Sequence, residues 1–419
     1  MEGFFDTSET KSTEPIRRAS GCGACRLHKG CKTPRIPAQG QGRKGILIIG
    51  EAPSSLNDKT GNLFTGEGSD LLHKKLRILD INLERDCWKT NAIQCHAPEG
   101  RTPFPLEIEC CKPRIWQEIE TLKPQLILLM GGSAVQSFLQ GRWKKDMGSV
   151  NKWRGWVIPD RDTKCWVAPL FHPVYLLQQY QKTRNGDTIN KQPVIEKVFE
   201  QDLEQAIKHL DISVPVYRDE AVSVKIMEDG VDLQNVFRNI IDWGLPFAFD
   251  YETTGLKPHR QGHRIVSCAL SFDGQSAISF DMPEEGRTRA IFRRIMMSPE
   301  IKKIAQNMKF ETQWTEERLP GVVEGWLWDT MLATHVMDNR EDITGLKFQS
   351  YVNFGLLPYD EHIEPFLKGI DDKDSNSFNR IDQAPRKERL IYNGIDSIVT
   401  FRLAETQMKI LGMPFERRQ

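Results

Sequence analysis

The sequence predicts an α/β protein built from two α/β domains in tandem, and three observations carry that reading. Short apolar runs alternate with helix-period segments through the first half, the pattern of a parallel sheet covered by helices on both faces. The second half opens with strand-like runs in meander order and continues almost wholly as helix, a mixed sheet followed by helices. Eight of the nine cysteines precede residue 170 and Cys268 alone follows it, so the halves differ in chemistry.

The elements follow in order. Residues 1–20 are polar and predict a disordered N-terminus. Residues 22–42 are loop-rich, and 45–50 (Gly-Ile-Leu-Ile-Ile-Gly) read as a buried parallel strand. A helix is expected near 69–79, strands at 88–93 and 124–130, a helix at 106–122 and another from Gly131. Short strands at 156–158 and 166–169 and an amphipathic helix at 194–210 close the first domain, 21–210, a doubly wound unit. A linker at 211–221 contains Pro215 and precedes the second domain, 222–419. There, strands are expected at 222–227, 247–251, 264–272, 276–280 and 301–305. Helices are expected at 231–242, 288–297, 311–318, 329–337, 346–352 and 386–411.

Composition bounds the function. Lys plus Arg and Asp plus Glu are both 57, so the net charge is zero and any nucleic-acid surface must be local. No run of 18 apolar residues predicts a membrane span, and the first residues lack the pattern of a signal peptide. A cytoplasmic location is expected, bacterial or in the host if the gene is carried by a phage. In a reducing compartment, nine cysteines raise metal binding rather than disulfides.

Two carboxylates, Asp250 and Glu252, stand one residue apart in the apolar run Phe249–Leu256. Alternate residues of a strand share a face, so the pair converges. Buried together, such acids need a cation, and a divalent metal supplies one economically. The Thr253-Thr254-Gly255 turn predicts that they sit at a strand end. Further on come Gln306-Asn-Met-Lys-Phe-Glu311 and Tyr392-Asn-Gly-Ile-Asp396, the latter placing Tyr392 and Asp396 on one helix face.

These ordered motifs resemble the Tyr-type DEDD 3′–5′ exonucleases, and within them the proofreading domain of family A DNA polymerases, over 222–411. The resemblance implies a ribonuclease H-like fold and two Mg²⁺ or Mn²⁺ ions held by Asp250, Glu252 and Asp396. It implies that Tyr392 orients the attacking water. Glu311 stands where the family usually has Asp. Asn307 and Lys309 would frame the substrate strand. Asp329 is a further candidate acid, with a helix N-cap as its simpler role.

In the first half, Cys22-Gly-Ala-Cys25 joins Cys95 and Cys111 as a four-thiolate set whose spacing alone suits either zinc or an iron–sulfur cluster. Around it stand Gly50-Glu-Ala-Pro53, Asp58-Lys-Thr-Gly61, Phe64, Thr90-Asn-Ala-Ile-Gln-Cys95 and Phe171-His-Pro173. Over 22–177 this set is similar to family 4 uracil-DNA glycosylases, which implies a [4Fe–4S] cluster. By resemblance Phe64 stacks on a flipped uracil, Asn91 reads its edge, His172 stabilises the departing base and Glu51 positions water or balances the sugar cation. Cys31, Cys87, Cys110 and Cys165 read as ordinary thiols. Three positions depart from the family: Ser54 replaces a Gly, Asn57 an acid on the C5 side of the base, and Gly100 an Asn.

The expectation is a DNA-processing enzyme that joins uracil recognition to 3′–5′ exonucleolysis on single strands, 3′ ends or uracil-containing DNA. In one version both domains are enzymes; in another the first only binds uracil or DNA; a third is a replisome scaffold. No membrane partner is expected. Because the sequence ends at Gln419, the expectation is a stand-alone nuclease or one subunit of a split replicase, whose further partner would be a separate family A polymerase subunit.

Overall fold

The computed structural model describes residues 22–182, 188–284, 286–371, 373–374 and 376–413. The expected disorder of residues 1–20 lies outside them. The described chain divides into two compact units, the first comprising residues up to 216 together with 351–357, the second 217–350 and 358 onward. No described helix is long and apolar enough to cross a membrane.

The first unit holds strands β1 (Ile46–Gly50), β2 (Cys87–Asn91), β3 (Leu126–Met130), β4 (Ile158–Asp160) and β5 (Cys165–Leu170). They form one sheet in the order β2-β1-β3-β5-β4, parallel except for the β4–β5 pair. β1 and β3 are buried along their whole length, which is why they are continuous apolar runs. Helices Glu67–Ile78, Pro105–Leu122, Gly132–Leu139 and Pro193–Ile207 occur where the helical period predicts them. The hairpin β6 (Tyr180–Lys182) and β7 (Thr188–Asn190) was not anticipated. The order reverses at β1, whose neighbours are β2 on one side and β3 on the other. In such sheets the crevice at the carboxyl ends of these strands is where ligands bind.

The second unit contains β8 (Val224–Met227), β9 (Phe247–Thr253), β10 (Ile265–Ser271), β11 (Ala277–Asp281), β12 (Lys303–Ala305) and β13 (Trp326–Asp329). The sheet order is β13-β12-β9-β10-β11-β8, with β9-β10-β11 antiparallel and the other pairs parallel. β13, a Trp-Leu-Trp-Asp segment, is an edge strand that sequence periodicity did not single out. Helices Val231–Trp243 and Gly286–Met296 cover one face through a core that includes Phe237, Phe280 and Phe292. The 25-residue helix Arg386–Ile410 packs on the sheet through Gly394, where a Cβ would overlap the Val224 side chain.

Candidate active sites of the two units

In the second unit the motif strand extends further than its sequence suggests. β9 runs to Thr253, so Asp250 and Glu252 lie within the strand, paired to Ala269 and Ser267 of β10. The strand-end expectation holds on the opposite flank alone: β12 pairs with Phe247 and Ala248 and then departs. Helix Met308–Arg318, which carries Glu311, follows β12 in the chain. On the other face Tyr251 and Phe249 pack edge to face at 5.2 Å in the core.

Asp250, Glu252 and Asp396 bring carboxylate oxygens within 4.8 Å of one another. Among the described residues this is the one group of His, Cys, Asp or Glu side chains with single-ion spacing. Burial pushes the Asp250 and Glu252 carboxyls well above the usual range, and the neighbouring acids push them further. Glu311 is likewise raised by burial and then by Asp250 and Glu252. Its Oε2 atom is buried without a hydrogen-bond partner. Such a cluster fits a divalent cation: hard oxygen ligands, mutual repulsion and an orphaned acceptor beside them.

Tyr392 lies one helical turn before Asp396 and is buried, its hydroxyl held above the ordinary range by burial and then by Asp396 and Glu252. Three further residues complete the site. Asn393 donates from Nδ2 to the Asp250 carbonyl oxygen at 3.0 Å and to Asp250 Oδ2 at 2.8 Å, and accepts from Ser267 Oγ at 3.0 Å. Lys347 and the Tyr359 hydroxyl both bind Asp396 Oδ1. Sequence reasoning missed all three, although Asn393 lies inside a motif it quoted.

Asp329 does not join the acids. Its carboxylate accepts from the backbone N–H groups of Asn307, Met308, Met331 and Leu332, at 2.9–3.2 Å. It therefore caps helix Thr330–Met337 and ties it to the turn after β12. Asn307 and Lys309 line a largely apolar cavity of about 750 Å³ with Trp326 and Leu332, and none of the three clustered acids is in that lining.

In the first unit, four strand ends converge. Gly50 ends β1 and Glu51 follows it, Asn91 ends β2, Gly131 follows β3 and His172 follows β5. A Cβ on Gly50 would overlap Asn91 Oδ1 and stand 3.2 Å from Phe64 Cζ, so glycine makes room for both side chains. Phe64 takes a left-handed backbone, φ 54°, to reach that point. Glu51 Oε1 accepts from the Ser133 N–H at 3.0 Å, at the start of helix Gly132–Leu139. A Cβ on Gly131 would sit 2.7 Å from the Glu51 carboxyl carbon, so this carboxylate also rests against glycine. His172 Nδ1 accepts from the Val174 N–H at 3.2 Å, which leaves Nε2 to carry the proton. Burial lowers the His172 pKa and Glu51 opposes that shift.

Two of the sequence departures form one device. Ser54 Oγ accepts from the Asn57 N–H at 3.2 Å while Asn57 Oδ1 accepts from the Ser54 N–H at 2.9 Å, a capping box on helix Ser55–Thr60. Asn57 Nδ2 binds Asn62 O at 2.7 Å and Thr65 Oγ1 at 2.8 Å, so the whole amide is engaged. Gly100, with φ 68°, has open space where a side chain would stand.

Cys25, Cys95 and Cys111 lie in one cluster at the loop after β2. Together with Cys22 they are near enough for their charges to interact, and Cys31 and Cys110 lie within the same reach. A single zinc ion would draw four sulfurs to within about 4 Å of each other. The described cysteines do not form a group at that single-ion spacing. The Arg35 N–H donates to Cys95 Sγ at 3.3 Å, as to a thiolate ligand. Cys31 instead donates from its own thiol to Leu27 O at 3.3 Å and His96 O at 3.6 Å.

Fold and site together define a DNA-processing protein: a base-recognition α/β unit followed by a ribonuclease H-like nuclease unit. Residues 37–201 match the uracil DNA glycosylase superfamily and residues 224–411 the 3′–5′ exonuclease domain of family A DNA polymerases. The type-4 uracil-DNA glycosylase of Pyrobaculum aerophilum is 34% identical over 131 residues, 31% of this chain and 66% of that enzyme. That of Thermotoga maritima is 35% identical over 161 residues, 38% of this chain and 80% of that enzyme. The DNA polymerase of Bacillus phage SP01 is 25% identical over 415 residues, covering 91% of this chain and 42% of the polymerase. Escherichia coli RNase D shows a TM-score of 0.34 at 13% identity, over 46% of this chain and 45% of that one. The chain thus belongs to the type-4 uracil-DNA glycosylase family in its first unit and carries a 3′–5′ exonuclease domain of the family A polymerase type in its second.

Proposed function

We infer that the protein removes nucleotides from DNA 3′ ends in its second unit and captures uracil in its first. The observation that carries the nuclease reading is the Asp250, Glu252 and Asp396 cluster at single-ion spacing, with Tyr392 one turn away. Asp250, Glu252 and Asp396 would hold two Mg²⁺ or Mn²⁺ ions, which supply charge neutralisation at the scissile phosphate and a nucleophilic water. Glu311 faces the same centre with its unpartnered oxygen, and Tyr392 orients the water. Asn307 and Lys309 are assigned to the approach of the substrate strand.

In the first unit Phe64 stacks on the base, Asn91 pairs with its edge, and the His172 Nε2–H meets the oxygen on which negative charge develops. Glu51, fixed by Ser133, faces the sugar side. Cys22, Cys25, Cys95 and Cys111 hold a [4Fe–4S] cluster. A second reading, in which this unit binds uracil without excising it, is favoured by the fully engaged Asn57 amide and the missing side chain at Gly100. The protein acts in the cytoplasm on single strands or 3′ ends, with domain limits at 21–210 and 222–419.

One experiment separates these readings. A 5′-labelled single strand containing one uracil is incubated with protein, with Mg²⁺ or with EDTA. A metal-dependent 3′-shortening ladder that vanishes in Asp250→Ala supports the nuclease, and its absence refutes it. Alkali-labile cleavage at the uracil in EDTA establishes excision; tight uracil-specific binding without cleavage establishes the binding module. Iron-free protein from an anaerobic preparation refutes the cluster.

A further inference from the structure

One cation already stands in the acidic centre. Lys347 Nζ pairs with Asp396 Oδ1, and the two side chains are 12% and 7% exposed. The ammonium lies 4.2 Å from the centre of the Tyr359 ring and 4.4 Å from that of Tyr392, a cation–π contact with both rings. The Tyr359 hydroxyl donates to the same Asp396 oxygen. Asp396 Oδ1 is therefore doubly engaged, which leaves Oδ2 to a metal ion. Lys347 also opposes the raised pKa of both Asp250 and Glu252, so its charge reaches the whole cluster.

The geometry points to Lys347 as a built-in counter-ion of the metal centre, with Tyr359 as a positioning residue for Asp396. The assignment rests on the metal-dependent nuclease reading above. Lysine offsets carboxylate repulsion before metal arrives, and Tyr359 aims Asp396 at the incoming ion. Two opposite signatures follow. Lys347→Met removes a positive charge that opposes the binding of a second cation, so it tightens Mn²⁺ binding while weakening the metal-free fold. Tyr359→Phe keeps the charge and the ring but removes one of the two groups that hold Asp396, so it loosens Mn²⁺ binding.

The test uses the full chain and Mn²⁺ alone. Calorimetric titration is expected to show Lys347→Met binding Mn²⁺ about tenfold tighter, Lys347→Arg near wild type, and Tyr359→Phe several-fold weaker. In EDTA, Lys347→Met melts lower than wild type, and saturating Mn²⁺ closes the gap because the ion replaces the missing charge. A Lys347→Met protein that melts lower by the same amount with and without Mn²⁺, at unchanged affinity, refutes the counter-ion and leaves a merely structural lysine. Unchanged Mn²⁺ affinity in Tyr359→Phe refutes the positioning role. If wild type and Asp250→Ala alike bind no Mn²⁺, the nuclease reading falls; the metal-free melting of Lys347→Met then decides the counter-ion, an unchanged value overturning it.

Discussion

Replacing Asn393 by alanine probes how far the acidic centre depends on its neutral scaffold. The side chain is fully buried and makes three hydrogen bonds, two donated to Asp250 and one accepted from Ser267. The bond to the Asp250 carboxyl contributes about 0.5–1.5 kcal/mol; the Ser267 hydroxyl, left buried and unpaired, costs about 1–3 kcal/mol. The unfolding transition that Mn²⁺ shifts should therefore lose about 3 kcal/mol. Without its donor, Asp250 no longer holds a fixed rotamer, and Mn²⁺ affinity should fall about 10–100-fold, as for other groups that orient metal ligands. Urea unfolding in EDTA and calorimetric Mn²⁺ titration read the two effects separately. Asn393→Asp keeps the shape but sets a further acid against Asp250, so it should melt lower than alanine in EDTA and recover more on adding Mn²⁺. A stability change under about 0.5 kcal/mol, the size of an ordinary surface substitution, together with unchanged Mn²⁺ affinity, would show that Asn393 does not organise the site.

Three other outcomes are expected. Gly50→Ala drives a methyl group into Asn91 Oδ1 and toward Phe64 Cζ, so fluorescence anisotropy should show the preference for uracil-containing over thymine-containing strands falling at least about tenfold, with the iron content unchanged. Glu311→Gln removes an acid whose pKa burial has raised; it should raise the metal-free melting temperature and slow Mn²⁺-dependent trimming about tenfold or more, read from the 3′-shortening ladder. Arg85 holds Asp86 down at about 2, below its ordinary 3.8. With the folded value depressed, its stabilisation is complete above pH 3.8 and disappears as pH falls through about 2; Asp86→Asn should flatten that acid limb in melts of the first unit.

Much of this architecture is legible from local pattern. The apolar runs at β1 and β3 and the hairpin order of β9, β10 and β11 each follow from periodicity within a few residues. Asp250 with Glu252, and Tyr392 with Asp396, share faces for the same reason. Lys347 is different, because 49 residues separate it from Asp396 and its surroundings read only as a short helix. Tyr359 lies in a loop, where no period marks a functional side chain. Asn393 had a usable signal: a polar residue between Tyr392 and Asp396, on a helix that the sheet buries. The extra strand β13 escaped because its two tryptophans are only partly buried at a sheet edge.

By itself the sequence determined that two carboxylates share a strand face and that a tyrosine and an aspartate share a helix face. Those are consequences of backbone repeat, which any short segment carries within it. Tertiary structure alone decided which acids meet. Asp250, Glu252 and Asp396 converge to within 4.8 Å while Glu311 stays outside that group, and Asp329 is drawn away by four backbone N–H groups. It also decided that Ser54 and Asn57, two separate departures in the sequence, are one capping box. The physical reason is common to all three. Burial and pairing depend on what distant segments leave open or fill, and that is set only when the sheet has assembled.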